Sequence, residues 1–176
     1  EAAAIWGGGR SALMWAAFRG DPAMARFLID SGAEINSPEG FGSALTQAAW
    51  NDQAEMAKYL LKRGANPNQA DFMSEFTPLH WAAGSERPNP ELIQALLKHG
   101  ANPNAEGGAP VDAFMGIPQT PLLIARKRNY DSIISTLLDA GATDRPAKSV
   151  PAVEPRATEI SDQALRSALR AAIPPL

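Results

Sequence analysis

The 176-residue sequence contains no cysteine and only two histidines, His80 and His99. The lack of cysteine excludes a disulfide framework, a zinc–thiolate site, an iron–sulfur cluster and a cysteine nucleophile. Two histidines are too few for a histidine-rich metal site. The 16 basic and 19 acidic residues give a net charge of −3, which lacks the basic footprint of a nucleic-acid-binding protein. No apolar run approaches the ~20 residues that span a bilayer. We therefore predict no metal, no cofactor, no nucleic-acid partner and no membrane span.

Residues that favour β-strands are also scarce. The chain has three valines, two tyrosines and six threonines, against 33 alanines. Because β-branched and aromatic residues are the types enriched in strands, this composition predicts a mainly helical protein. The 15 prolines and 14 glycines are too many for long helices, since both residues interrupt them. The composition therefore predicts many short helices that are joined by tight turns.

A repeated pattern organises most of the chain. The pair Gly-Ala recurs after an apolar run in four places, with its glycine at Gly32, Gly64, Gly100 and Gly141. A leucine precedes the glycine by 19 residues in three units and by 21 in the third, at Leu13, Leu45, Leu79 and Leu122. Self-similarity of this kind indicates a repeat architecture.

Each unit predicts two helices followed by an extended finger. The first helix, of about nine residues, is expected to begin after a capping hydroxyl at Ser11, Ser43, Thr77 and Thr120. The second helix is expected to begin at Asp21, Asp52, Asn89 and Asn129. The glycine of Gly-Ala ends it, because glycine readily adopts positive φ. Segments such as Asn66-Pro67-Asn68 then turn the chain into the finger.

The strings SALMWAA (11–17), SALTQAA (43–49), TPLHWAA (77–83) and GANPN (64–68 and 100–104) resemble the ankyrin repeat family. The resemblance covers residues 10–144. It implies an all-α fold, an α-solenoid of helix–turn–helix units with hairpin-like fingers. It also implies recognition of a protein partner and no enzymatic activity. The alanine-rich style is similar to that of bacterial ankyrin proteins, many of which are exported, and it leaves open a bacterial cytoplasmic or an exported, periplasmic location.

The predicted organisation has three parts. An ankyrin domain covers 1–144, with units at about 10–42, 43–76, 77–119 and 120–144. A proline-rich linker covers 145–157, and a tail covers 158–176 with an amphipathic helix over 158–173. This helix caps the fourth unit, binds a partner or begins a further domain. The fourth unit departs from the pattern at Leu123 and Arg126, which favours an edge unit.

Aromatic side chains are the first candidates for partner binding. Phe18 and Trp50 each follow a core leucine by five residues, which rotates them roughly 140° away from the core at about 100° per residue. On neighbouring helices about 10 Å apart, they are expected to share the concave face of the stack. Aromatic residues are frequent hot spots in protein interfaces. The alternative is that the two rings cover each other, or that the long finger covers them.

Other candidates surround this face. Polar residues at the helix ends form a predicted rim that consists of Arg19, Asn51, Arg87, Lys127 and Arg128. The fingers add Phe72 and Met73, and the long finger insertion 105–119 adds Phe114 and Met115. Phe76 is expected either at the finger surface or in the core between repeats. His80 is interpreted as a structural residue that hydrogen-bonds near Thr77, and no catalytic or metal-binding residue is predicted.

The leading hypothesis is a non-enzymatic module that binds a protein partner through the concave face and the insertion 105–119. Two alternatives remain open. The chain is a structural subunit or domain of a larger assembly, or a regulatory array that flanks a catalytic or redox domain in a longer protein.

Overall fold

The computed structural model describes residues 10–37, 42–108 and 119–144. Within these ranges the chain forms four consecutive pairs of short helices and no β-strand. The helices are α1 (Ala12–Arg19), α2 (Pro22–Asp30), α3 (Ala44–Trp50), α4 (Ala54–Lys62), α5 (Pro78–Ala83), α6 (Pro90–Lys98), α7 (Pro121–Lys127) and α8 (Asp131–Asp139). The predicted linker 145–157, the tail 158–176 and most of the insertion 105–119, with Phe114 and Met115, lie outside the described residues.

The helices stack in two rows. The first helices α1, α3, α5 and α7 pack side by side, and each second helix packs against the first helix of its own unit. The predicted core leucines Leu13, Leu45, Leu79 and Leu122 are all buried in one apolar cluster with small residues around them. Alanine allows the close approach of neighbouring helices because its side chain ends at Cβ. The prediction of an all-α repeat solenoid is confirmed.

The first helices begin where the sequence predicts but are shorter than expected. Ser11, Ser43, Thr77 and Thr120 are the N-caps. The helices then run for six to eight residues, so the expected length of about nine was wrong. Helix α1 ends at Gly20, which adopts φ 68° and whose amide donates to the carbonyls of Ala16 and Ala17.

Two predicted caps of the second helices were also wrong. Asp21 and Asn89 do cap α2 and α6, with side chains that accept from Met24 and Leu92 amides. In α4 and α8 the caps lie one residue later than predicted, at Gln53 and Tyr130. Asp52 and Asn129 instead adopt φ 57°, the left-handed conformation that these two residue types tolerate well. They take the place that Gly20 occupies in the first unit, so they form the turn rather than the cap.

The Gly-Ala pair ends each second helix as predicted. Gly32, Gly64, Gly100 and Gly141 have φ between 85° and 92°. After α2, the Ala33 amide donates to the Leu28 carbonyl at 2.9 Å and the Gly32 amide to the Ile29 carbonyl at 3.0 Å. This pair of bonds is the Schellman motif, and it recurs after α4, α6 and α8. The four helix ends are therefore equivalent.

Asparagines in the fingers connect each unit to the next. The Asn68 side chain donates to the Gly100 carbonyl and accepts from the Asn102 amide, both at 2.8 Å. Asn36 makes the same two bonds to the second unit, and Asn104 makes them to the fourth. Because both partners are backbone groups of the next unit, each asparagine fixes the spacing between two repeats.

The fourth unit departs from the repeat pattern but keeps its buried core residues. Arg126 occupies the position of the buried alanines Ala17, Ala49 and Ala83, but its side chain is exposed and pairs with Asp144 at 3.0 Å. The Tyr130 hydroxyl donates to the Ser85 carbonyl at 3.0 Å, which ties the longer inter-helix loop of the third unit to the fourth unit. Leu122 and Leu137 are fully buried, so the departures from the repeat pattern do not disturb this packing.

Candidate functional site

Five aromatic rings are in contact one after another and form what we call the aromatic row. Four of them lie on the first helices α1, α3 and α5, and the fifth lies in the finger just before α5. The members of the row are Trp15, Phe18, Trp50, Trp81 and Phe76. Successive ring centroids in this order lie 5.9, 6.4, 5.2 and 5.6 Å apart. Three of these contacts are edge-to-face and the Trp50–Trp81 pair is tilted by 36°, which are favourable geometries for aromatic pairs. The row spans three repeats.

A guanidinium group lies on one end of the aromatic row. The Arg10 guanidinium carbon is 5.2 Å from the ring centroids of Trp15 and Phe18 and 5.5 Å from that of Trp50. These distances fall within the ~6 Å of a cation–π interaction. The row thus presents electron-rich faces that already hold a cation from the same chain.

The structure brings the two predicted aromatic residues into contact. Phe18 is half-buried and Trp50 is exposed over 42% of its surface. Their rings touch edge to face at 6.4 Å, so they cover each other in part, as the alternative interpretation holds. Trp50 also contacts Trp81 and still exposes part of its ring to solvent.

Trp15 and Trp81 were not among the site residues predicted from the sequence. Each follows a core leucine, Leu13 or Leu79, by two residues, which rotates it roughly 200° from that leucine at about 100° per residue. The angular argument that selected Phe18 therefore applies to both. Phe76 lies half-buried against Trp81 and stacks on the His80 ring at 4.8 Å.

The finger of the second unit places a buried carboxylate beside the row. Asp71 is only 5% exposed, and its side chain accepts from the Met73 amide at 2.9 Å and the Ser74 amide at 2.6 Å. It also accepts from the Ser74 hydroxyl at 2.6 Å and from the Trp81 indole Nε1 at 2.9 Å. These bonds join the finger to α5. They also hold Phe72, which is 90% exposed, and Met73 at the finger surface.

A small residue opens clefts at the other end of the row. Gly84 stands where the first two units have Phe18 and Trp50, and a Cβ there would lie 3.2 Å from Cγ2 of Ile124. One cleft of about 420 Å³ lies between Trp50 and Trp81 on one side and Arg87 and Arg128 on the other. A second, of about 440 Å³, lies between Trp81 and Ile124 and includes Lys127 and Arg128. Four predicted rim residues therefore line clefts that adjoin the row: Asn51, Arg87, Lys127 and Arg128.

Two of the predicted rim residues lie at or near the end of α1. Arg19 is exposed in the last turn of α1. Asn51 is exposed, but its side chain donates to the Phe18 carbonyl at 2.6 Å. This bond joins the end of α3 to the end of α1, so Asn51 has a structural role in addition to any contact with a partner.

His80 is buried and bonded at both ring nitrogens. Nδ1 accepts from the Thr77 amide at 3.1 Å, and Nε2 lies 3.0 Å from the Gln119 carbonyl. Because Nδ1 accepts from an amide, Nε2 carries the proton and donates to Gln119. Burial lowers the pKa of His80 to about 4. The neutral ring links the third unit to the base of the long finger, which is the structural role that the sequence predicted.

The described part of the chain contains no cluster of three or more His, Asp or Glu side chains that could hold a metal ion. In the same ranges, no helix is long and apolar enough to cross a bilayer.

Comparison with known families identifies the class of the protein. A model of three ankyrin repeats matches residues 7–71, and a model of a single ankyrin repeat matches residues 74–107. The two matches cover more than half of the chain and include the whole aromatic row. The chain therefore belongs to the ankyrin repeat family, whose members are generally modules for protein–protein interaction and typically non-catalytic. A search of the curated proteins found no match.

Proposed function

We propose that this array binds a protein partner through the aromatic row, the finger that carries Phe72 and Met73, and the clefts beside Trp81. The observation that carries the proposal is the row itself: five rings in contact across three repeats, with exposed faces on Trp15 and Trp50. A contiguous exposed apolar patch is characteristic of interaction sites. Tryptophan and arginine are also enriched among interface hot spots.

The insertion 105–119 forms the second part of the proposed site. At its base, Gly107 and Gln119 exchange backbone hydrogen bonds at 2.9 and 2.7 Å. The Gln119 carbonyl also accepts from His80, and Gln119 lines the cleft beside Phe76 and Trp81. The two ends of the insertion are thus held next to the aromatic row. We propose that Phe114 and Met115 contribute to the same partner contact.

Site-specific photocrosslinking tests this function. The photoreactive residue p-benzoylphenylalanine replaces Phe72, at the exposed finger, in one variant. In the matched control it replaces Phe27, an exposed phenylalanine of α2 that lies outside the aromatic row. Irradiation in native extract is expected to give a discrete adduct from position 72 and none from position 27. Adducts of equal yield from both positions would refute the proposed location of the site.

Packing within a larger assembly is a second candidate, because α2 exposes apolar residues that the other second helices bury. Met24 is 48% exposed, whereas Met56, Leu92 and Ile133 at the same distance from the C′ glycine are buried. Light scattering on the native material distinguishes the two candidates. A constitutive assembly larger than one chain supports the second, and a stable free monomer counts against it.

A further inference from the structure

A small pocket separates the finger of the second unit from the aromatic row. It has a volume of about 330 Å³ and is lined by Trp50, Trp81, Met73, Ser74 and Asp71. This volume is at the low end of the ~300–1,000 Å³ of small-molecule pockets. The pocket therefore suits a single side chain better than a cofactor. Its walls are two indole rings and a thioether, and a carboxylate lies at its base.

The carboxylate gives the pocket a negative charge. Asp71 is held by four hydrogen bonds, from Met73, Trp81 and two groups of Ser74. No basic side chain of the described residues forms an ion pair with it. A charge in a poorly solvated place acts more strongly on a nearby ion than a charge in water does. Because its lone pairs are already used, Asp71 attracts an occupant by its charge and not by a new pair of hydrogen bonds.

The chain itself shows which cation the aromatic row accepts. The Arg10 guanidinium lies 5.2–5.5 Å from the centroids of three of its rings, including Trp50. The pocket is formed by Trp50 and by the next ring of the row, Trp81, whose centroids are 5.2 Å apart. A guanidinium is planar and more weakly hydrated than an ammonium group, so it stacks on aromatic faces with little desolvation cost.

We propose that this pocket binds an arginine side chain that the protein partner presents. The guanidinium lies against the Trp50 and Trp81 rings where they line the pocket, the methylene stem lies along Met73, and the charge of Asp71 favours the cation over a neutral side chain of the same shape. This assignment rests on the proposed function, because it names the chemistry by which the partner is recognised at the aromatic row.

Two small probes test the pocket on the complete wild-type chain. The probes are N-acetylargininamide and N-acetylcitrullinamide, which have the same shape but differ in charge. Each is titrated into ¹⁵N-labelled protein, and the indole N–H signals of the four tryptophans are followed by NMR after assignment with single Trp→Phe variants. We expect saturable shifts of the Trp50 and Trp81 signals with the arginine probe. The citrulline probe should bind at least about fivefold more weakly, the usual size of a cation–π contribution.

Two charge-removing variants locate the effect. Asp71→Asn is expected to weaken the arginine probe about fivefold. The matched control Glu75→Gln removes a charge from the same finger, at an exposed residue that does not line the pocket, and should change binding by less than about twofold. Because Asp71→Asn places an amide opposite the Trp81 indole, circular dichroism must show that the variant is folded. If it is not, the comparison between the two probes on wild-type protein decides alone.

Two results would overturn the assignment: no saturable shift at the solubility limit of the arginine probe, or equal affinities for the arginine and citrulline probes. These failures can be separated from a failure of the proposed function. If Trp50→Ala abolishes binding of the crosslinked partner while the arginine probe does not bind, the partner uses the row but not through an arginine. If the partner binds Trp50→Ala as it binds wild type, the proposed site itself is wrong.

Discussion

His80 illustrates how one residue serves two neighbouring repeats. Its ring is fully buried, accepts from Thr77, donates to Gln119 and stacks on Phe76. Histidine suits this place because its neutral ring offers one acceptor and one donor on opposite sides. The cost is a dependence on pH, because a buried histidine resists protonation.

The folded chain is therefore expected to lose stability in acid through His80. Its pKa falls from an ordinary value near 6.5 to about 4 in the folded state, so the unfolded chain binds the proton first. Stability is fully present above pH 6.5 and declines as the pH falls toward 4. The linkage slope is about 1 kcal/mol per pH unit near pH 5, and about 3 kcal/mol in total. Urea denaturation between pH 7 and pH 4 measures it.

The variant His80→Gln isolates this contribution, because every other titrating group remains. The variant is expected to be less stable at pH 7, and its stability should fall less steeply toward pH 4 than that of the wild type. Parallel pH profiles for the two proteins would show that the histidine does not carry the effect.

The finger asparagines make a second residue-scale prediction. Asn68→Ala removes two hydrogen bonds to the third unit, to Gly100 and Asn102, and should lower the free energy of unfolding by about 1–2 kcal/mol. Asn66→Ala is the matched control, since its side chain accepts only from the Asn68 amide in the same finger. It should cost less than about 1 kcal/mol. Equal losses in urea denaturation would contradict the role of Asn68 as a link between units.

At the scale of the element, the four second helices end in the same motif, but the burial of their equivalent residues differs. The residue eight positions before each C′ glycine is buried in α4, α6 and α8, at Met56, Leu92 and Ile133. In α2 the same residue, Met24, is about half exposed, and Ala25 is the one fully buried residue of this helix. This position therefore contributes more to stability in α4, α6 and α8, where its side chain is buried, than in α2.

Alanine substitutions at equivalent positions test this dependence. Leu92→Ala opens a cavity in the apolar core and is expected to destabilise the chain by about 2–5 kcal/mol. Met24→Ala removes a side chain that is already half exposed and should cost less than about 1 kcal/mol. Thermal unfolding that gives similar losses for both would contradict the difference in packing.

Sequence reasoning predicted the local features of these elements well. Caps at Ser11 and Thr120, the glycine C-termini and the core leucines depend on residues a few positions apart, so their spacing identifies them. Asp52 was predicted to mark the start of a second helix because Asp favours both helix starts and left-handed turns, and the sequence does not distinguish the two uses.

The candidate site was predicted less completely. Phe18 and Trp50 followed from the helical angle, and Trp15 and Trp81 would have followed from the same angle. The hydrogen bond between Asp71 and Trp81 depends on how the finger of the second unit lies against α5. The contact of Arg10 with three rings depends on the path of the chain just before α1. No local spacing encodes those positions, because the contacts join residues of different units and of different kinds of element.

At the scale of the whole molecule, the account depends on the linear stacking of the repeats. Each unit contacts its neighbours in sequence, as in other solenoids, so side chains at equivalent positions line up along one side. This alignment converts four separated aromatic residues of α1, α3 and α5, together with Phe76, into one row. The proposed function is a consequence of that alignment and not of any single repeat.

The affinity of the crosslinked partner for Trp50→Ala tests this central claim most directly. Calorimetry compares wild type with Trp50→Ala and with the control Phe27→Ala, which removes an exposed aromatic side chain of α2 outside the aromatic row. Melting temperatures confirm that each variant is folded. The account predicts that Trp50→Ala weakens binding at least about 30-fold, as for an interface hot spot, while Phe27→Ala changes it by less than about twofold. Wild-type affinity in Trp50→Ala, or an equal loss in Phe27→Ala, would contradict the account.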